Sequence, residues 1–337
     1  MVKVFSDGNI YYASQANNGN STAKHFGNLM FLEYEGRAPL IYNTRYQQDV
    51  ASTSTNLTYR QSMSAQVGEY TKKTTGDYTF ESEAINSNEN VTDLYGFIDY
   101  DIYTIWDECD DSSINATNFP TSTNCSEGAN GITINQDGEL RTKDLSSNAV
   151  IVLRGKLYGR ANSSSRFTLI DSTASNESWV VIGAGEFSQG NYTNAKIYYF
   201  ETVIWNDWAN NVVYTTTSFF HHTSGNMSPG PHSDRYYGKK HLKHDVTSFD
   251  ELRIRIQTPE TNGTCYAYLD WIRLPNTNPS TTATMSISAN DGSDYTESTN
   301  GTVTRCTAGS TMKLKLTGTV ASGEVVSVMG IAMGSVK

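Results

Sequence analysis

The chain has 337 residues, room for roughly two or three domains with separate cores, at 18% charged and 37% hydrophobic composition and a net charge of −10. That negative balance excludes a general nucleic-acid binder, whose affinity rests on neutralising phosphates with Lys and Arg; the one basic run is Arg235 to Lys243. Asn, Ser, Thr, Gly and Tyr are abundant and helical i, i+3, i+4 patterns are scarce, which gives an all-β chain of many short strands and polar loops.

In chain order, a strand is expected at Val2 to Phe5, a turn at Asp7-Gly8-Asn9, and a second strand at Ile10 to Tyr12. Asn28 to Tyr46 reads as a hairpin or strand pair around Gly36-Arg37-Ala38-Pro39. Residues 47–92 are the most polar long stretch, with Tyr59, Tyr70 and Tyr78 spaced through it. Such composition suits a sheet extension or an arm lying on a neighbouring subunit. Leu94 to Trp106 alternates with aromatics on both faces, a strand covered on both sides. Asp107 to Gly131 reads as a loop, followed by Ile132 to Ile134 and a turn at Asp137-Gly138.

From Ala149 the rhythm becomes regular. Strands are expected at Ala149 to Leu153, Phe167 to Ile170, Trp179 to Ile182, Lys196 to Trp205 and Val212 to Phe220. Ser/Asn/Gly loops part them at the spacing of a sandwich. Leu252, Ile254 and Ile256 then alternate with Arg253, Arg255 and Gln257; Pro259, Asn262 and Gly263 write a bend, and a further strand runs Cys265 to Leu274. The close YLDWIRL after LRIRI resembles the last strands of jelly-roll, concanavalin-like or carbohydrate-binding modules, over roughly 149–274. The fold that this resemblance implies is a jelly-roll-like antiparallel β-sandwich. The expected domains are an N-terminal β-rich region over 1–148, the sandwich over 149–275 and a small C-terminal β domain over 281–337, after the linker NTNPSTT. The last run, Glu324 to Val336, is the most apolar in the chain, and so is either central in the small domain or paired with another subunit.

Cys109, Cys125, Cys265 and Cys306 show no C-x-x-C spacing, and an even count in a polar β protein favours disulfides. Cys109–Cys125 with Cys265–Cys306 is the expected pairing; two other pairings stay formally open. Asn-x-Ser/Thr acceptors occur at Asn20, Asn56, Asn90, Asn115, Asn124, Asn162, Asn176, Asn191, Asn226, Asn262 and Asn300, more than the roughly six or seven expected by chance. The opening MVKVFSDGN carries no signal-peptide pattern, and no apolar run reaches the roughly 20 residues that span a membrane. Glycoprotein chemistry without an export signal points to a virion component released by assembly and lysis, or to a chain whose signal was trimmed.

Several groups could carry chemistry. His241-x-x-His244-Asp245 and the acidic cluster Asp107, Glu108, Asp110 and Asp111 offer metal ligands, the second to a structural Ca²⁺. Solvated loops are the simpler reading of both, and no cofactor is expected. Glu186, Glu201, Asp207 and Asp270 are the sandwich carboxylates available for glycoside hydrolysis, but the Glu-x-Asp-x-x-Glu pattern of sandwich glucanases is missing. Sugar binding needs aromatic faces flanked by hydrogen-bonding side chains. Trp205, Asp207, Trp208, Asn210 and Asn211 form the densest such group, with Tyr236 and Tyr237 as additions. The expected function is a non-enzymatic structural protein of a virion or extracellular surface. Its partners would be copies of itself, joined at β edges and the apolar C-terminus, with host glycans or other virion proteins, and neither nucleic acid nor a membrane span. The alternatives are a lectin-like carbohydrate-binding module and a glycan-cleaving enzyme.

Overall fold

A computed structural model describes residues 2–4, 10–12, 24–26, 40–43, 51–61, 68–145, 148, 150–159, 164–170, 180–182, 196–207, 212–223, 238–245, 251–257 and 266–336. The fold is all-β and antiparallel, as expected, with no helix among the described residues. The N-terminal strands are β1 (Val2–Val4), β2 (Ile10–Tyr12), β3 (Lys24–Phe26), β4 (Leu40–Asn43) and β5 (Ala51–Thr55). They continue as β6 (Thr58–Gln61), β7 (Gly68–Lys72), β8 (Gly76–Ser82) and β9 (Ile85–Asp107). Next come β10 (Thr121–Gly128), β11 (Gly131–Arg141), β12 (Val150–Gly159), β13 (Ser164–Ile170) and β14 (Val180–Ile182). β15 (Lys196–Asp207), β16 (Val212–Thr223), β17 (Gly238–Asp245), β18 (Glu251–Gln257) and β19 (Tyr266–Pro275) follow. The chain ends on β20 (Thr284–Ser288), β21 (Thr296–Ser298), β22 (Thr304–Val320) and β23 (Glu324–Val336).

These strands form two compact units, 105–275 and a second made of 1–104 with 276–337. The grouping differs from the three-part expectation. The C-terminal strands complete a core begun by the N-terminal ones, and no local pattern announces that long-range pairing.

In the 105–275 unit one layer runs β17-β16-β15-β12-β19, and the other β14-β13-β18. β11 joins them: Ile132 to Ile134 pair with β19, and Glu139 to Arg141 pair with β18. Between those stretches the expected turn at Asp137-Gly138 is a bulge, residues 135–138 standing opposite Asn124 of β10, with φ of 56° at Asp137. β18 and β19 are not a hairpin ladder; each pairs with β11 from its own layer, and Leu252 and Ile254 share one core with Leu269 and Ile272. Ile132, Ile134, Leu140, Ile151, Leu153, Ile204 and Val213 complete it, so the two dry faces meet as in a sandwich. In β19 the register slips at Asp270, which carries the core face from Ala267 and Leu269 to Ile272 and Leu274, and turns Trp271 and Arg273 away.

In the other unit, β22 binds two layers. Residues 313–320 lie between β20 and β8, and residues 304–312 pair with β9. β23 pairs with β9 from Glu324 to Val336, and on its other side with β4 and β7. The apolar run is therefore a central strand of its own chain, with Val325 to Met333 buried; of the two places expected for it, the central one is found, and not pairing with another subunit. The arm reading of 47–92 fails for the same kind of reason. Tyr70, Tyr78 and Phe80 are core residues here, with Tyr70 and Phe80 packed edge to face at 5.4 Å. β1, β2 and β3 form a small three-stranded sheet.

Candidate functional site

The outward face of the β12-β15-β16 layer gathers the side chains of interest. Alternation along β15 and β16 turns Ile204 and Val213 into the core, so their neighbours Trp205 and Tyr214 stand on the opposite face. The register pairs Trp205 directly with Tyr214, and each is 39% exposed. Their row continues to Val150 on β12 and, at its register position, to Lys243 on β17. The next rows of the same parity pair Val203 with Thr216, followed by His241, and Glu201 with Ser218, followed by Lys239.

Toward β19 the same face closes over. The Arg154 guanidinium lies 4.9 Å from the Trp271 ring centroid and that of Arg273 lies 4.1 Å from it. Arg154 Nη2 donates to Glu201 Oε2 at 3.1 Å. Arg273 is fully buried and grips Glu108 with two hydrogen bonds, Nε to Oε1 at 2.7 Å and Nη2 to Oε2 at 2.8 Å.

That grip decides the acidic cluster. Glu108 points both oxygens at a guanidinium. Asp107 accepts from Cys109 N at 2.8 Å and from Asn118 Nδ2 at 2.9 Å, closing its own loop. Asp111 is exposed, and its amide donates to Glu127 Oε1 at 2.8 Å. Burial first, and then the Asp111 carboxyl, push Glu127 up to about 7. Asp110 is half-buried. Among the described residues no three His, Cys, Asp or Glu side chains are grouped to hold a metal ion. His241 and His244 lie on β17, not in a loop, three residues apart and hence at positions of opposite parity, as register partners of Thr216 and Val213.

Cys109, Cys125 and Cys306 are thiols, so the expected Cys109–Cys125 bridge is not formed; Cys265 lies outside the described residues. Cys109 belongs to the core cluster, while Cys125 on the β10 edge donates to Glu139 O at 3.3 Å. Burial pushes the Cys125 thiol up to about 12, which keeps it protonated and a poor nucleophile.

Trp208, Asn210, Asn211, Tyr236, Tyr237 and Glu186 lie outside the described residues. Asp207 is placed by its backbone alone, opposite Val212. Asp270, 3% exposed, sits in the β19 bulge. Among the sequons, Asn56 donates its amide to Asp77 O at 2.9 Å. Asn300 exchanges two hydrogen bonds with the Ile98 backbone, its Oδ1 accepting at 2.8 Å and its Nδ2 donating at 3.0 Å. Both amides are engaged in holding strands. Asn90, Asn115 and Asn124 are exposed. Asn20, Asn162, Asn176, Asn191, Asn226 and Asn262 lie outside the described residues.

The sequence reading missed Tyr214 and the Arg154–Trp271–Arg273 stack. Tyr214 was within reach: antiparallel pairing of Asp207 with Val212 makes Trp205 meet Tyr214 two residues further in. The stack was not, because it depends on the slip at Asp270.

No family model matches this chain, and no curated protein matches it. Among solved structures, a lectin from Bauhinia forficata in complex with GalNAc is similar at 9% identity and a TM-score of 0.15, covering 72% of this chain and 100% of the lectin. Sulfolobus turreted icosahedral virus is similar at 8% identity and a TM-score of 0.19, covering 89% of this chain and 98% of the viral one. A third structure, described by the triple jelly-roll fold and turret assembly of an archaeal virus, stands at 8% identity and a TM-score of 0.18, with 89% and 96% covered. TM-scores this low establish no shared site.

Proposed function

We propose that the chain is a non-enzymatic structural protein of a virion or extracellular surface, which associates with copies of itself through strand edges and touches host glycans. The observation that carries this reading is how the carboxylates of the 105–275 unit are used. Glu108 is bound to Arg273 and Glu201 to Arg154, each holding neighbouring segments of one sandwich. A glycosidase needs two carboxylates turned toward substrate with their pKa values pushed apart; among the described residues, Glu108 and Glu201 face guanidinium groups instead. With β23 central, assembly falls to edges such as β10, which pairs with β11 alone among the described residues.

Sedimentation and electron microscopy of the intact chain test the reading: a defined oligomer, particle or filament is the expected result. A monomer that stays monomeric at high concentration refutes it, and release of reducing sugar from a glycan panel refutes its non-enzymatic part. The lectin-like alternative draws its support from the exposed Trp205–Tyr214 pair.

A further inference from the structure

We infer that Asn115 carries an N-linked oligosaccharide. Of the sequons at Asn56, Asn90, Asn115, Asn124 and Asn300, this is the one whose amide the fold offers to a transferase. The inference is independent of self-association, and it concerns sugar attached to the chain rather than sugar bound by it.

The reaction sets the demands. Asn Nδ2 attacks the anomeric carbon of an oligosaccharide held on a lipid diphosphate. The C–N bond forms, the C–O bond to the diphosphate breaks, and the Nδ2 proton passes to a base of the transferase. The amide must therefore face solvent with its donor disengaged, and the hydroxyl two residues on must be open. The peptide must also stand clear of a ladder, so that the enzyme can close around it.

Asn115 meets each demand. It opens a tight turn between β9 and β10, its backbone O accepting from Asn118 N at 3.0 Å and from Phe119 N at 2.8 Å. Its Oδ1 accepts from Thr117 N at 3.0 Å and Asn118 N at 3.3 Å, the local backbone capping this residue type favours. With Oδ1 turned in toward the backbone, Nδ2 of the same planar amide is turned out, and among the described residues it donates to none. Asn115, Ala116 and Thr117 are all exposed, and the Thr117 hydroxyl has no partner among the described residues.

The turn is anchored from below. Phe119, 1% exposed, belongs to the core cluster and packs edge to face on Trp106 at 5.6 Å. Asn118 Nδ2 donates to Trp106 O at 3.3 Å and to Asp107 Oδ2 at 2.9 Å, while Lys143 Nζ donates to Asn118 Oδ1 at 2.7 Å. The acceptor is thus held in place and projects outward.

The other sequons each fail a demand. Asn56 and Asn300 commit Nδ2 to Asp77 O and Ile98 O, at 2.9 and 3.0 Å. Asn90 lies within β9, where the next residue, Val91, is buried and paired with Gly309. Asn124 lies within β10; its backbone O accepts from Asn135 Nδ2 at 3.3 Å, and the next residue, Cys125, packs against the core and donates to Glu139 O. A strand held in its ladder bends into an active site only by breaking such bonds. A glycan on Asn115 also keeps its loop clear of subunit contacts, so this loop faces outward in any assembly.

The test treats the folded, intact chain with a single-subunit oligosaccharyltransferase and a lipid-diphosphate-linked oligosaccharide, and reads occupancy at each sequon by peptide mass spectrometry. Asn115 should be modified ahead of Asn56, Asn90, Asn124 and Asn300. N115D keeps an oxygen for the Thr117 and Asn118 amides and should lose the modification at an unchanged melting temperature. T117V keeps the backbone N–H and should lose it too, whereas T117S should retain it. An unmodified Asn115, occupancy at Asn56 or Asn300 equal to that at Asn115, or a T117V chain still glycosylated at Asn115 overturns the inference.

Discussion

Replacing Glu324 is the sharpest test of how the C-terminal strands are held. This residue opens β23 and is 8% exposed, and its carboxylate accepts three hydrogen bonds: from Asn276 Nδ2 at 2.8 Å, Ser280 N at 3.0 Å and Thr281 N at 2.8 Å. The segment that reads as a loose linker is thereby fastened to the strand it precedes. Burial pushes the Glu324 pKa up, but the hydrogen bonds from Thr281, Ser280 and Asn276 outweigh it and leave the group below its ordinary value of 4.5. Glu324→Gln keeps the volume, loses the charge and turns an amide donor toward donors. Hydrogen bonds to a charged acceptor contribute ~1.5–3 kcal/mol each against ~0.5–1.5 for neutral ones. Discounted for the solvent near the strand end, the substitution costs about 2 kcal/mol. For a unit of this size that lowers the melting temperature by roughly 4–8 °C. The sign with pH is fixed by the depressed pKa: the contribution is present above the unfolded value and is lost as pH falls through the folded one. Differential scanning calorimetry of both proteins from neutral to acidic pH should show the gap closing below 4.5. A variant as stable as the parent at neutral pH, or a gap that widens in acid, refutes the clamp.

Breaking the buried pair with Glu108→Gln leaves the Arg273 charge enclosed and should cost about 3–5 kcal/mol, while Glu108→Leu with Arg273→Met should recover most of it; urea titrations of the three proteins decide. Glu127 titrates the opposite way from Glu324: its raised pKa gives stability at low pH that is lost as pH rises through about 7, so Glu127→Gln should melt higher than the parent above neutrality and no higher in mild acid. Thermal melts across that range check it, and a gain in acid would contradict the assignment. Deleting 324–336 removes Val325, Val326, Val328, Ile331 and Met333, each about 1.5–3 kcal/mol of burial, which together match a typical domain's whole stability. The truncated chain should lose the melting transition of the 1–104/276–337 unit and become protease-sensitive, and a folded monomer would contradict the central place of β23.

Much of the strand pattern was legible because period-2 burial leaves a direct trace in residue order. Ile204 and Val213 alternate with polar neighbours, and β12, β13, β15, β16 and β18 lie where alternation and turn residues set them. Whether Trp205 is core or surface was not legible, since a tryptophan of a sandwich is more often core; its place on β15, opposite in parity to the buried Ile204, leaves it exposed. That Cys109 and Cys125 form no bridge was not legible either, because whether two thiols meet depends on a loop path that Asp107, Asn118 and the Glu108–Arg273 pair determine.

Residue order by itself determined the class of structure: all-β, antiparallel, polar outside, with a regular run of strands across 149–274. Local pattern settles such matters because each strand's two faces are written in adjacent residues. Tertiary structure alone decided which strands became neighbours. It set β23 between β9 and its partners, divided β18 and β19 between two layers, and reversed the faces of β19 at Asp270, so that Trp271 and Arg273 turn away from the apolar core yet stay buried. Those outcomes depend on pairing between residues far apart in the chain and on a single slip in register, and neither is encoded in any short stretch.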